Sequence, residues 1–246
     1  TGEQAFGGST PTIVHGHLHR EYESPEPENP REAYLFALVA QMLSKQPGER
    51  PANMEVLARE LAPIADVGGR WEMLEVDRAR VGSVEVDLRI GELQRFAADA
   101  LVSSARRGLE MRDGVARELR EAGGAALGAA AAAHAPLSMG DVAWTAGGEL
   151  PARWVVHAVA ARDGAICIQR CTMRFLLEAQ LRGAQHLAMP ALGTGGGGVP
   201  QPLAAKLVLE TIGTVARMGD TSLRRVSIVL NGEAPLGHWR RVLAGM

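Results

Sequence analysis

From Trp71 onward the chain alternates short runs of strand period with longer runs of helical period, and this alternation limits the fold more than any other feature. "WEMLEV" and "SVEVDLRI" switch between polar and apolar residues, while "DALVSSA", "DVAWTAG", "RWVVHAVA", "HLAMPAL" and "RRVSIVLN" read as further strands. Between them "DGVARELREAGGAALGAAAAAHA", "QRCTMRFLLEAQLRG" and "PLAAKLVLETIGTVARM" carry helical patterns with good propensity. Strands interleaved with helices predict an α/β architecture with a partly parallel sheet, in which ligands bind beyond the carboxyl ends of the strands.

The first seventy residues differ. They carry 6 Lys/Arg against 10 Asp/Glu, whereas the remainder carries 20 against 18. "YESPEPENP" is an acidic, proline-rich loop; Asn29 and Pro30 are placed to start a helix over "REAYLFALVAQMLSK", and "ANMEVLARELAPIA" forms a second one. No strand period occurs here. The expected division is a small all-α segment over 1–66, a linker over 67–70 and an α/β domain over 71–246. Two or three helices make a weak independent core.

The net charge of −2 gives no global field for nucleic acid or membranes, and no apolar run approaches the roughly 18 residues of a membrane span. No signal peptide is visible at the start, and Cys167 and Cys171 read as buried, reduced thiols, so a cytoplasmic location is expected. Two cysteines with a distant histidine are too few ligands for a metal site.

The chemical signal sits in "MPALGTGGGGVPQP", where a strand ends, four glycines follow and a helix begins. Gly195 to Gly198 lose more backbone entropy on folding than other residues would, so a mere connector is a poor explanation. Successive glycine amides form an anion-binding nest, and the following helix adds its positive end. A phosphate or diphosphate is the natural guest. Gly193, Gly195 and Gly198 also satisfy G-x-G-x-x-G, but the acidic residue a dinucleotide fold wants on the next strand is missing at the right distance. A P-loop is excluded because no Lys-Ser/Thr follows.

The ordered segments "IGEL", "ADALVSSA", "DGVARELREAGG", "GDVAWTAGGELPARWVVHAVA" and "MPALGTGGGGVP" resemble the macrodomain family, in the middle most of all the macrodomain of the variant core histone. The resemblance implies a three-layer α/β/α sandwich with a mixed sheet and a cleft for ADP-ribose, with no other cofactor. It implies that Glu92 reads the adenine amino group and that Leu93 offers a backbone N–H beside it. Gly114 and Val115 fall in a first diphosphate loop, and Thr194, Gly195, Gly196, Gly197 and Gly198 in a second. Three departures stand out. The Asn-Ala-Ala-Asn segment of the family's hydrolases reads Ser103, Ser104, Ala105, Arg106, so an arginine replaces the asparagine that positions the distal ribose. The family's triple glycine reads Arg112, Asp113, Gly114, which sets a carboxylate against the diphosphate unless Arg106 or Arg112 pairs with it. The second loop's large ring, often aromatic, is glycine. These changes favour binding ADP-ribose, a related nucleotide diphosphate or an ADP-ribosylated protein over hydrolysis, and they leave open a module that has lost the nucleotide.

Other residues read as structural. His157, on an apolar strand, is expected to be a satisfied core histidine, Asp99 and Asp141 turn residues, and His15, His17 and His19 solvated. "TGEQAFGG" and "MLSKQPGERP" resemble the C-terminal end of a bacterial serine/threonine protein kinase catalytic domain, with Arg50 at the family's paired arginine. The glycine-rich loop, lysine and catalytic aspartates of such a kinase are absent, so this stretch cannot transfer phosphate. The remainder of a kinase domain is the partner that this resemblance implies.

Overall fold

The computed structural model describes residues 6–20, 22–27, 30–65, 70–160, 165–218 and 221–246. The "TGE" start, Asn29 and the 66–69 boundary lie outside them. The chain forms two compact units, Thr1–Val67 and Gly68–Met246.

The first unit contains α1 (Thr10–His19), α2 (Pro30–Met42), a short 3-10 turn (Pro47–Glu49) and α3 (Met54–Ala65). Asn53 caps α3 by accepting the Val56 amide at 2.9 Å, and Lys45 Nζ donates to the Gly16 and His17 carbonyls at the end of α1. Gly16 is required there because a Cβ would meet the Phe6 ring at 2.8 Å. His15, His17 and His19 ride on α1, and the His15 and His19 rings lie 4.9 Å apart, tilted 49° to each other, one helical turn from each other.

The second unit is a mixed sheet between two helical layers. Its strands are β1 (Glu72–Glu75), β2 (Arg78–Val81), β3 (Val84–Ile90), β4 (Ala98–Ala105), β5 (Val142–Ala146), β6 (Ala152–Val159), β7 (His186–Pro190) and β8 (Arg225–Leu230). Their order across the sheet is β1-β2-β3-β8-β7-β4-β6-β5. The five central strands from β3 to β6 run parallel, and the outer pairs are antiparallel. Helices α4 (Gly114–Gly123) and α5 (Ala125–Ala132) cover one face; α6 (Ala165–Leu181), α7 (Gln201–Arg217) and α8 (Glu233–Ala244) cover the other. β4 shows why its run is apolar throughout: Ala100 and Val102 face one layer, Leu101 and Ala105 the other.

Four readings need correction. "RARV" is a strand, missed because only four residues alternate, yet Ala79 and Val81 are fully buried. The chain also ends in α8, whose Leu236, Trp239 and Leu243 bury one stripe although Pro235 and Gly237 obscure the pattern. The long helical stretch after Asp113 is two helices, divided where Gly124 takes φ +82°. Asp99 is no turn residue: it lies inside β4, and its carboxylate accepts the Gln185 and His186 amides at 2.7 and 2.9 Å, which ties β4 to the start of β7.

His157 is buried in the α4/α5 layer with Nε2 2.9 Å from Thr145 Oγ1. Desolvation, with a smaller push from His134, drives its pKa down to about 4. Because the folded pKa is depressed, the unfolded chain takes up the proton first as pH falls through 6.5, and stability is lost until about pH 4. The loss at this residue is expected to approach about 3 kcal/mol. Urea unfolding of the protein and of His157→Leu at pH 7, 5.5 and 4.5 measures it; parallel pH profiles would refute the assignment. In the other layer Cys171 is buried, which pushes its thiol up to about 12. Among the described residues no helix is long and apolar enough to cross a membrane.

Candidate functional site: a cleft at the carboxyl ends of the strands

The parallel strands end along one edge of the sheet, and a cleft of about 370 Å³ lies there. That volume is within the roughly 300–1,000 Å³ of small-molecule sites. Each wall is a strand end or the segment after it: Gly91 and Leu93 after β3, Ser104 and Arg106 at β4, Pro190 and Ala191 at β7, and Val229 to Asn231 at β8. The start of α4 and the glycine loop close the ends.

The glycine loop folds on itself. Gly198 N donates to Gly195 O at 3.0 Å, Val199 N to Gly193 O at 3.1 Å, and Thr194 Oγ1 to Ala191 O at 2.9 Å. Gly193 and Gly198 take φ +74° and +68°, and a Cβ on Gly197 would sit 2.5 Å from Gly193 O. A Cβ on Gly195 or Gly196 would meet nothing within 4 Å. The amides of Gly195, Gly196 and Gly197 are used by none of these bonds, so donors and room coincide. Glycine donors beside open space are one requirement of an anion nest.

The opposite wall begins at Gly114, whose φ of +53° demands glycine although a Cβ would have open space. Asp113 precedes α4, but its carboxylate makes no cap bond; it takes a hydrogen bond from Arg106 Nη2 at 2.5 Å. Both side chains are more than half exposed, so the pair adds little stability, about 0–1 kcal/mol.

The expected residues are thus brought together except one side chain. Leu93, Arg106, Gly114, Val115, Thr194, Gly195, Gly196 and Gly197 line the cleft, and Gly198 closes the turn behind it. Glu92 stands beside the cleft, but its carboxylate pairs with Arg95 Nε at 2.6 Å and is not part of the lining. Reading the sequence missed Glu118, Gln201 and Asn231, which also line it. Asn231 directly follows the apolar run of β8, a polar residue at a strand end. Gln201 opens α7, and its Oε1 accepts Trp239 Nε1 at 2.9 Å, a bond no sequence pattern announces. Among the described residues, no three His, Cys, Asp or Glu side chains converge as metal ligands.

Comparison with known proteins agrees with this geometry. The model of the Macro domain matches residues 102–208. An uncharacterised protein of Pyrobaculum aerophilum is 37% identical over 160 residues, 62% of this chain and 87% of its own length. An uncharacterised protein of Mycobacterium tuberculosis is 32% identical over 158 residues, and there the match spans only 43% of the relative. Relatives therefore come from archaea as well as bacteria. Among solved structures, an Oceanobacillus iheyensis macrodomain mutant with ADPR superposes with a TM-score of 0.64 at 22% identity, covering 68% of this chain and 96% of that one. The Trypanosoma brucei macrodomain in complex with ADP gives 0.62 at 21%, covering 64% and 68%. Sheet order, the cleft at the strand ends and the matched segments lead to one conclusion: this chain belongs to the Macro domain family.

Proposed function

We propose that the second unit is a binding module for ADP-ribose or a related nucleoside diphosphate, acting in the cytoplasm on the free nucleotide or on ADP-ribosylated protein. The observation that carries this reading is the coincidence of three glycine amides that have no hydrogen-bond partner among the described residues with open space above Gly114, Gly195 and Gly196. A diphosphate between the loops would take its hydrogen bonds from main chain. Solved relatives holding ADPR or ADP support the choice of guest. The departures in Ser103 to Arg106 favour binding without hydrolysis. The likeness to the variant histone's macrodomain belongs to the same proposal.

The front unit we assign to the end of a serine/threonine kinase domain. Arg50, which carries that likeness, is exposed and donates Nε to Ser44 O at 2.9 Å. A second reading, an interaction module that no longer takes nucleotide, is favoured by the Asp113 carboxylate at the cleft wall.

Thermal unfolding with ADP-ribose decides between them. Ligand at a hundredfold its Kd contributes about 2.7 kcal/mol, which for a domain of this size raises Tm by roughly 5–10 °C. An unchanged Tm and no heat on titration at millimolar ADP-ribose would reject the binding reading.

A further inference from the structure

Helix α1 has 10 residues, and its own propensity is poor. Thr10, Thr12, Ile13 and Val14 are β-branched, and the glycine at 16 lowers the helix's stability by about 1 kcal/mol relative to alanine. A helix this short depends on what its sides and its end can hold on to. One side is accounted for: Gly16 lies against Phe6, and His17 meets the same ring edge-on, with centroids 4.9 Å apart at 74°.

His15 and His19, four residues apart, share another face, because residues one turn apart are neighbours on a helix. Both are exposed, and their ring centroids lie 4.9 Å apart with the planes tilted by 49°. Among the described residues neither ring enters a hydrogen bond or an ion pair. The spacing matches that of two imidazoles on one metal ion. An ion about 2.1 Å from each nitrogen lies about 3.2 Å from each ring centre, so bond angles of about 90–110° set the centres about 4.5–5.2 Å apart. The observed separation falls inside that interval. His19 is also the last residue of α1, so an ion held by both rings would bridge its final turn.

We infer that His15 and His19 form a binding site for a divalent transition-metal ion of the zinc, nickel and copper(II) class. Imidazole suits these ions, whereas the hard ions magnesium and calcium require oxygen ligands. Two side chains supply half of a tetrahedral shell; water completes it, and the ion remains exchangeable. Bound across one turn, the ion clamps α1 where Gly16 weakens it. The site belongs to the first unit and is independent of the nucleotide reading.

Calorimetric titration of the full chain with nickel and with magnesium, in a buffer without chelating groups, tests this. Nickel is expected to bind and magnesium to give no heat. His15→Ala and His19→Ala should each weaken nickel binding at least about tenfold, since a chelate becomes a single contact. His17→Ala should leave it unchanged, because that ring packs on Phe6. Hydrogen exchange in the unaltered protein gives a check that needs no substitution. At a hundredfold the Kd of nickel, the His19 amide and the Arg20 amide, which donates to Gly16 O at 3.0 Å, should exchange up to about a hundredfold more slowly, as that turn cannot open until the ion leaves. No nickel binding at millimolar concentration would overturn the inference. Binding of unaltered strength in His15→Ala or His19→Ala would place the ion elsewhere and overturn it too. Binding without slowed exchange would remove the bridge across the turn.

Discussion

Gly197→Val is expected to weaken ADP-ribose binding at least about a hundredfold, because it breaks the loop that would hold the diphosphate. A Cβ at this position would lie 2.5 Å from Gly193 O and 3.2 Å from Gly193 Cα. Both are main-chain atoms, so nothing flexible can give way. Gly193 takes φ +74° and lies beside Ile168, whose Cδ1 a Cβ built on it would meet at 2.8 Å. Its carbonyl also accepts the Val199 amide that closes the loop. The loop must therefore open, and the amides of Gly195 to Gly197 would shift from their places along the cleft. Gly196→Ala provides the contrast. Its Cβ meets no protein atom, so stability should change by less than about 0.5 kcal/mol while affinity still falls, since the methyl stands in the ligand's space. Calorimetry and thermal unfolding of the two variants check both statements. Undiminished binding by folded Gly197→Val would remove the glycine loop from the site.

The second large effect concerns Trp239, which is fully buried under α8 with Leu236 and Leu243. Trp239→Ala should cost about 3–5 kcal/mol, the usual range for emptying a buried aromatic site. For a unit of this size that corresponds to a fall in Tm of roughly 10 °C. Trp239 also donates to Gln201 Oε1, so the same change frees a side chain that lines the cleft. Trp239→Phe separates the two roles: most of the packing remains, but Gln201 loses its anchor. Its stability loss should stay near 1 kcal/mol. Urea unfolding resolves these values, and a loss below 1 kcal/mol for the alanine variant would mean that α8 is not fastened through Trp239.

Much of the site was legible because its signals are local. Glycines at 193 to 198 announce positive φ and close main-chain approach within one short segment. Gly114 marks the opposite wall for the same reason, a backbone that only glycine adopts at low cost. The alternation of apolar runs likewise predicted seven of the eight strands, since side-chain period follows from strand geometry itself. β2 escaped because four residues cannot establish a period, and α8 because its helicity depends on a buried stripe that exists only once Leu236, Trp239 and Leu243 have a sheet to pack on.

Side-chain choices between competing partners were of another kind. Asp99 borders an apolar run in a way that suits a turn, yet its carboxylate serves amides 86 and 87 residues away. Glu92 was expected to face the ligand, but it is not part of the cleft lining, and its carboxylate pairs with Arg95, three residues on. Arg106 and Asp113 were expected to interact with each other or with phosphate, and only the geometry shows them paired at the cleft wall.

By itself, then, the sequence determined most of the strands and helices and where glycine-rich backbone lies, because those properties arise from residues a few positions apart. Tertiary structure alone decided that the ends of β3, β8, β7 and β4 lie side by side, drawing Gly91, Asn231, Ala191 and Ser104 into one cleft. It also decided which charges meet there. The physical reason is that strand order and ion pairing are settled by competition among distant partners for burial and charge, and no local pattern records the outcome.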